Sequence, residues 1–335
     1  MSGRKKGSVF LQAGIRTKSN SLISVSIMET NEHTAFSRHL GQMTDHARRS
    51  WRLSIYKETC QIISARGYQP LHSPAISLSL PTPPTSQTIR SPTEITAWQR
   101  PPLPSSTQIV VYEGDCLEAA IALKGQGLNP VVLNMANPTT PGGGVRTGDG
   151  AQEENVFRRS TYSHFLYNSE FARYPIAKTG AIYTPGVTVF RAAEAAEYAL
   201  MESPVELAFI ALPALVRPPL SEDPIKGPWL APSAYTLAKA KLATFLKLAL
   251  SHNHDSVVFS AWGCGAFRNP PRCIATAFKE VVESEELQGR LAKVVFAIFD
   301  DHNARKRHNP EGNVRPFAEV FGVQPSTSLA QHNHF

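Results

Sequence analysis

From Ile109 onward, short apolar runs alternate with longer stretches of helical periodicity, and this alternation constrains the fold more than any other feature of the chain. The runs lie at 109–112, 131–133, 207–212, 257–260 and 294–298. Helices are predicted from Cys116, from Glu153 through Phe157, Tyr162 and Phe165, over 234–250 and over 274–283. Strands that are apolar throughout, rather than at every second residue, are those covered on both faces. The pattern therefore predicts an α/β protein whose helices sandwich a central sheet. Ahead of it, Thr44 or Asp45 is placed to cap a helix carrying Trp51, Ile55 and Ile62 on one face, with Gly67 ending it. Residues 69–107 are rich in Pro, Ser and Thr and read as a long surface loop with one short strand at 76–80.

The strand at 131–133 leads into Asn134-Met-Ala-Asn137-Pro-Thr-Thr-Pro-Gly142-Gly143-Gly144, and seven residues later comes Gln152-Glu153-Glu154. Consecutive glycines permit positive φ and close approach of a ligand, and acidic residues suit a helix start because they oppose the positive end of its dipole. An ordinary strand-to-helix turn with a solvated acidic start would use the same residues. A phosphate loop of the Gly-Lys-Ser/Thr kind and a Gly-x-Gly-x-x-Gly dinucleotide fingerprint are both missing at this turn. Two glutamates beside a glycine turn are instead what acid-assisted cleavage of a glycosidic bond requires, one carboxyl holding a proton while polar neighbours hold the sugar.

In sheets of this kind ligands collect beyond the carboxyl ends of the strands. Four further elements fall at such ends. Asp115, after Gly114, is a favoured helix N-cap. Asn137 precedes Pro138 and is a turn initiator. The loop Gly263-Cys264-Gly265-Ala266-Phe267 reads either as a tight turn with a core phenylalanine or as a nest of N–H groups for an anion. Phe299 closes the last strand as either a core or a ligand-stacking aromatic.

Gly-Gly-Gly, a spacer of seven and Gln-Glu-Glu together resemble the signature of poly(ADP-ribose) glycohydrolases, within the macrodomain superfamily. The context resembles the microbial, bacterial-like branch: 132–137, Arg158-Arg-Ser-Thr-Tyr162, 181–187, Ala261-Trp-Gly-Cys-Gly-Ala-Phe267 and 294–298, spread in family order over 44–322. The resemblance implies a macrodomain-like three-layer α/β/α sandwich with a mixed, largely parallel sheet and an N-terminal helical extension. It also implies hydrolysis of ribose–ribose bonds from chain ends, with release of ADP-ribose.

Glu154, protonated, would assist departure of the leaving sugar and then deprotonate water; Glu153 would hold the ribose hydroxyls, and Gln152 would orient the pair. By the same resemblance Asp115 accepts from the adenine amino group, Asn137 faces the distal part of the ligand, and Gly142, Gly143 and Gly144 approach the ribose beside the scissile bond. Gly263, Cys264, Gly265 and Ala266 would hold the diphosphate, and Phe267 would pack on the terminal ribose. Family loops often carry glycine after that phenylalanine, where this chain has Arg268. A reader of ADP-ribose that does not cut, and a hydrolase of single ADP-ribose groups on proteins, are the alternatives; the Gln-Glu-Glu element argues against both.

The expected organisation is a flexible basic tail over 1–43, the helix and Pro/Ser-rich segment over 44–107, a catalytic core over 108–322 and a disordered tail over 323–335. The formal charge of +7 is gathered early, with Arg4, Lys5, Lys6, Arg16 and Lys18 all preceding the first acid, Glu29. Positive charge attracts a polyanion such as ADP-ribose polymer or nucleic acid without choosing between them, and a solvated tail is the commoner explanation; the resemblance adds poly(ADP-ribose) or ADP-ribosylated proteins as the implied partner. No aromatic-interleaved basic stripe points to specific nucleic-acid binding. The tail suits a mitochondrial presequence, a disordered arm or an overextended start upstream of Met28 or Met43.

Cys60, Cys116, Cys264 and Cys273 show neither metal-type pairs nor a secreted disulfide framework, which points to a reducing compartment, cytoplasmic or nuclear, with a mitochondrial one open. No cofactor or metal is expected. His252 and His254 lie close together, yet no second ligand pair has a recognised spacing. No segment approaches the roughly 20 apolar residues that span a bilayer.

Overall fold

The computed structural model describes residues 11–16, 22–27, 43–82, 85–96, 98–99, 101–103, 105–223, 227–300, 304, 306 and 309–329. Their packing divides them into two compact units that cut across the linear boundaries expected from composition. The first comprises the described residues of Met1–Pro84, Gly142–His164 and Thr188–Val205, and the second those of Thr85–Pro141, Phe165–Val187 and Glu206–Phe335. Proximity in sequence to the apolar core thus does not decide membership: the glycine turn and the glutamates belong with the N-terminal helix.

The second unit contains the sheet. Its strands are β5 (Gln87–Ile89), β6 (Gln108–Glu113), β7 (Pro130–Asn134), the adjoining parts of β8 (Ala181–Arg191) and β9 (Leu200–Ala211), β12 (Ser256–Phe259) and β13 (Lys293–Ile298), in the order β5-β8-β9-β7-β12-β13-β6. Pairing is parallel from β9 through β7, β12 and β13 to β6, while β5 runs antiparallel to β8. Every residue of β7, β12 and β13 is buried.

The alternation of side chains sorts them between two layers. Val131, Leu133, Val257, Phe259, Val294, Phe296 and Ile298 join one core with α5 (Pro232–Ser251), α6 (Pro271–Val282) and α7 (Val314–Phe321). Val132, Val258 and Val295, equally buried, face the other way, where α2 (Cys116–Gly125) packs across β7, β12 and β13. The three-layer α/β/α sandwich with a mixed, largely parallel sheet is therefore as expected. Its densest part is aromatic: Phe278 lies 4.7 Å from Phe259 and 5.1 Å from Phe296, ring centre to ring centre.

The first unit is built on α1 (Asp45–Ala65), capped by the Thr44 hydroxyl, which accepts from the Ala47 N–H at 3.2 Å. Its buried face is Tyr56, Thr59 and Ile62, and it ends one residue earlier than expected, at Arg66 with φ 54°, because Gly67 is drawn into a strand. That strand, β3 (Gly67–Tyr68), pairs with β4 (Ile76–Ser77). The strand expected over 76–80 stops at Ser77; Leu78 and Leu80 instead bury themselves against Ile62, Tyr68, Phe190 and Leu200. Within the expected flexible tail, β1 (Leu11–Arg16) and β2 (Leu22–Ile27) pair antiparallel.

The single helix expected from Glu153 to Phe165 is two, α3 (Gln152–Arg159) and α4 (Tyr162–Leu166). Ser160 breaks it: its hydroxyl donates to the Val156 carbonyl and accepts from the Tyr162 N–H, and its extended backbone bridges Val189. Such local side-chain bonding competes with the helix. At the other end of the chain, residues 323–329, expected to be disordered, run beside β6. Ser326 exchanges backbone hydrogen bonds with Val111 and Glu113 at 2.9 and 2.8 Å, which satisfies an otherwise open sheet edge. The hairpin of β10 (Leu220–Asp223) and β11 (Gly227–Leu230) was not anticipated.

The histidine pair serves packing. His252 stacks on Tyr183 at 3.7 Å, and His254 places its two ring nitrogens 3.1 Å from the Tyr183 hydroxyl and 3.0 Å from the Asn129 carbonyl. Among the described residues, no group of His, Cys, Asp and Glu is arranged to hold a metal ion, and no helix is long and apolar enough to cross a membrane.

Lys241 is buried on α5, and its ammonium donates to the Lys178 carbonyl at 2.6 Å. Burial, with a smaller contribution from Lys178, lowers its pKa from 10.5 to about 8. Between those values the folded amine is neutral and the unfolded one charged, so stability rises with pH across the window and is lost as pH falls through it. Chemical denaturation from pH 7.5 to 10.5 should show the wild type gaining up to ~3 kcal/mol relative to Lys241→Met; parallel curves for the two proteins would contradict this assignment.

Candidate active site

The glycine turn and the start of α3 form one hydrogen-bonded element within the first unit. Gly142 and Gly143 have φ of 77° and 49°. This conformation aims the alternate N–H groups of Gly142 and Gly144 at the glutamates of the next helix. The Gly142 N–H donates to Glu153 Oε1 at 3.1 Å, and the Gly144 N–H donates to Glu154 Oε1 at 2.8 Å. Ala151, the N-cap of α3, offers no side-chain bond, so the first-turn carboxylates meet the positive end of the helix dipole directly. Gln152 heads the helix, half-buried.

Both glutamates are buried, at 3% and 7% exposure, which rejects the reading of a solvated acidic helix start. A Cβ at position 143 would stand 2.6 Å from Glu154 Oε1 and 3.2 Å from Glu153 Oε2, so only glycine satisfies both the left-handed backbone and the space. The second carboxyl oxygen of Glu154, Oε2, is buried and has no hydrogen-bond partner among the described residues. A buried polar atom left unpaired costs about 1–3 kcal/mol, so this oxygen is available to accept or share a proton with a partner.

Behind α3 lies a polar network that sequence reasoning missed. Arg158, fully buried, donates from Nη1 to the Asp149 carbonyl at 2.7 Å and from Nε to the Tyr198 hydroxyl at 3.0 Å. The Tyr198 hydroxyl in turn donates to Glu194 at 2.8 Å, and Arg52 of α1 grips Glu194 through two nitrogens at 2.7 and 3.0 Å. Thr59 of α1 donates to the Arg158 carbonyl at 2.6 Å and accepts from Arg191 Nε at 3.0 Å. Arg191 also meets Glu58 at 2.9 Å, and Arg49 pairs with Asp149.

Burial pulls the Arg191 pKa down, and Glu58 opposes it. Burial pushes the Glu194 carboxyl up, but Arg52 and then the Tyr198 hydroxyl outweigh it and hold the group below its ordinary value. Burial raises Tyr198 to about 12. Breaking a buried ion pair of this kind costs ~3–5 kcal/mol. The only sequence signal for the network was the adjacent Arg158-Arg159 pair, whose buried role no periodicity discloses.

The remaining candidates lie in the second unit, at the carboxyl ends of adjacent parallel strands. Asp115 after β6 caps α2, its Oδ1 accepting from Leu117 and Glu118 N–H at 2.8 and 3.1 Å. Asn137 after β7 folds its Oδ1 onto the N–H groups of Thr139 and Thr140 at 2.9 and 3.0 Å, the turn-initiating geometry. The 263–267 loop follows β12. Gly263 has φ 75°, with Asn269 Nδ2 and Ala214 Cβ 2.5 and 2.6 Å from where its Cβ would stand. Cys264 is wholly buried and Phe267 packs half-buried against the core. The N–H groups of Gly265, Ala266 and Phe267 have no acceptor among the described residues, as an anion-binding nest requires. Phe299, after β13, is 61% exposed and is not a core residue.

The largely parallel sheet covered by helices on both faces defines an α/β/α fold of the macrodomain type. Residues 56–192 match the model of the microbial-type poly(ADP-ribose) glycohydrolase catalytic domain. It is similar to the crystal structure of poly(ADP-ribose) glycohydrolase from Thermomonospora curvata, at 26% identity and a TM-score of 0.67 over 81% of this chain and 99% of that one. The same enzyme bound to the inhibitor ADP-HPD matches at 26% identity and a TM-score of 0.62, over 80% and 98% of the two chains. The Deinococcus radiodurans enzyme in complex with ADP-ribose matches at 25% identity and a TM-score of 0.58, over 70% and 94%. No curated protein matches the chain.

Gly143→Ala tests the element. The added methyl must displace the Glu154 carboxyl from the Gly144 N–H, and turnover on ADP-ribose polymer should fall by at least ~100-fold, as a misplacement on the order of 1 Å costs. Near-wild-type turnover would show that the glycine–glutamate contact is incidental.

Proposed function

We propose that the chain is a poly(ADP-ribose) glycohydrolase that cleaves ribose–ribose O-glycosidic bonds from the ends of polymer, free or attached to proteins, and releases ADP-ribose. The observation that carries the reading is the Glu154 carboxyl: Oε1 is held by the Gly144 N–H while Oε2 is buried without a partner among the described residues. A proton on Oε2 passes to the bridging oxygen as the bond from the ribose anomeric carbon to that oxygen breaks, so the leaving ribose departs as an alcohol. Positive charge develops on the anomeric carbon and its ring oxygen. Water then adds to that carbon, and its proton returns to Glu154, restoring the acid.

Glu153, tied to Gly142, holds the ribose hydroxyls, and Gln152 orients the pair. In the second unit, the 263–267 nest takes the diphosphate, Phe267 packs on the ribose, and Asp115, Asn137 and the exposed Phe299 contact the adenosine and the distal portion. α1, which Arg49 and Arg52 fix beside the glycine turn through Asp149 and Glu194, is the element that would cap the terminal ribose and so confine cleavage to chain ends.

Purified wild type should shorten automodified polymer with free ADP-ribose as the product from the earliest times. Glu154→Gln should retain ADP-ribose affinity within about 3-fold yet lose at least ~1000-fold in rate, the scale of a lost general acid. Binding without cleavage by the wild type would replace this reading with that of an ADP-ribose reader; removal of single protein-linked groups with polymer left intact would replace it with a mono-ADP-ribosyl hydrolase.

A further inference from the structure

Two arginines beside the nest hold backbone conformations that their side chains disfavour. Arg217 has φ 44° and Arg268 φ 60°, both in the left-handed region. Each is strained for a residue other than glycine, and Arg217 also precedes Pro218, which disfavours helical backbone at its neighbour. Strain of this kind persists only where the surroundings impose it.

Here they do. The Arg217 N–H donates to the Phe267 carbonyl at 2.9 Å, Asn269 Nδ2 donates to the Leu215 and Gly263 carbonyls at 2.7 and 3.0 Å, and the Arg268 N–H donates to the Gly265 carbonyl at 3.0 Å. These bonds pin the 214–217 segment to the nest-bearing loop and bring both arginines to its flank. Both side chains are exposed, and neither has an ion-pair or hydrogen-bond partner among the described residues. Arg49, Arg52, Arg191, Arg272 and Arg315, by contrast, each meet a carboxylate.

We propose that Arg217 and Arg268 form a two-guanidinium pyrophosphate clamp beside the nest of Gly265, Ala266 and Phe267. Backbone N–H groups supply fixed donors on one side of the anion, and planar guanidinium forks supply charge and paired donors on the other. The inference rests on the proposed ADP-ribose site and adds its specificity-determining residues. At position 268 it explains an arginine in a conformation that glycine adopts without cost: backbone strain is retained in exchange for a charge next to the phosphates.

The test compares wild type, Arg268→Gly, Arg268→Lys and Arg217→Gln in thermal melts and in calorimetric titrations with ADP-ribose, short poly(ADP-ribose) and adenosine. Arg268→Gly relieves strain, so its melting temperature should rise by roughly 1–3 °C. Its affinity for ADP-ribose or for polymer should fall by at least ~10-fold, with a weaker dependence on salt and unchanged adenosine affinity. Arg217→Gln should weaken the same ligands, and Arg268→Lys should recover part of the loss. A loss with ADP-ribose itself places the clamp on the bound unit's pyrophosphate, and a loss confined to polymer places it on the neighbouring unit's; both support it. Wild-type affinity and salt dependence in Arg268→Gly and Arg217→Gln, or an equal loss for adenosine, overturn the clamp alone. Failure of the wild type to bind ADP-ribose or to cut polymer overturns the proposed site together with it.

Discussion

The hydrogen bond from the Gly144 N–H to Glu154 Oε1 is the interaction on which the rest of the chemistry depends. It fixes which carboxyl oxygen is used up and which is left for a ligand. It exists only because Gly143 adopts a left-handed conformation that leaves no room for a Cβ against the same carboxyl. A glutamate at the first turn of a helix would ordinarily be solvated and mobile. Here the turn holds it, and burial keeps water from competing for its oxygens.

Holding the carboxyl still requires holding its helix still, and α3 has only 8 residues. A helix that short is not stable alone. Its supports are the Arg158 bonds to Asp149 and Tyr198, the Thr59 bond to the Arg158 carbonyl, and the Ser160 break that ties the chain to Val189. Thr59 comes from α1, and Arg52 and Glu58 of the same helix hold Glu194 and Arg191 in the network behind it. The N-terminal helix is therefore part of the machinery that positions the acid, which accounts for its membership of the same compact unit as the glycine turn.

Where apolar periodicity carries the signal, the sequence discloses the structure. β6, β7, β12 and β13, with α2, α5 and α6, fall within a few residues of their expected positions, because continuous Val, Ile and Phe runs have no stable placement except inside a sheet covered on both faces. The glycine–glutamate element was legible from its spacing, and the structure does bring those residues together. What escaped was decided by side-chain hydrogen bonds. Ser160 ends a helix by bonding Val156, the Asn137 side chain folds into its own turn, and Arg158 is buried against a tyrosine hydroxyl distant in sequence. The 323–329 segment has little apolar content to betray it, and what places it is the open edge of β6. Arg217 and Arg268 are set apart by left-handed φ angles together with side chains that have no partner among the described residues, and composition records neither.

The most direct test is a crystal structure of the Glu154→Gln variant with an ADP-ribose dimer trapped in place. The account predicts the bridging ribose–ribose oxygen within ~3 Å of the residue 154 side chain, on the side of the oxygen that the Gly144 N–H does not hold. A dimer whose bridging oxygen lies beyond hydrogen-bonding reach of that side chain, with another acid beside it, would contradict the assignment of Glu154.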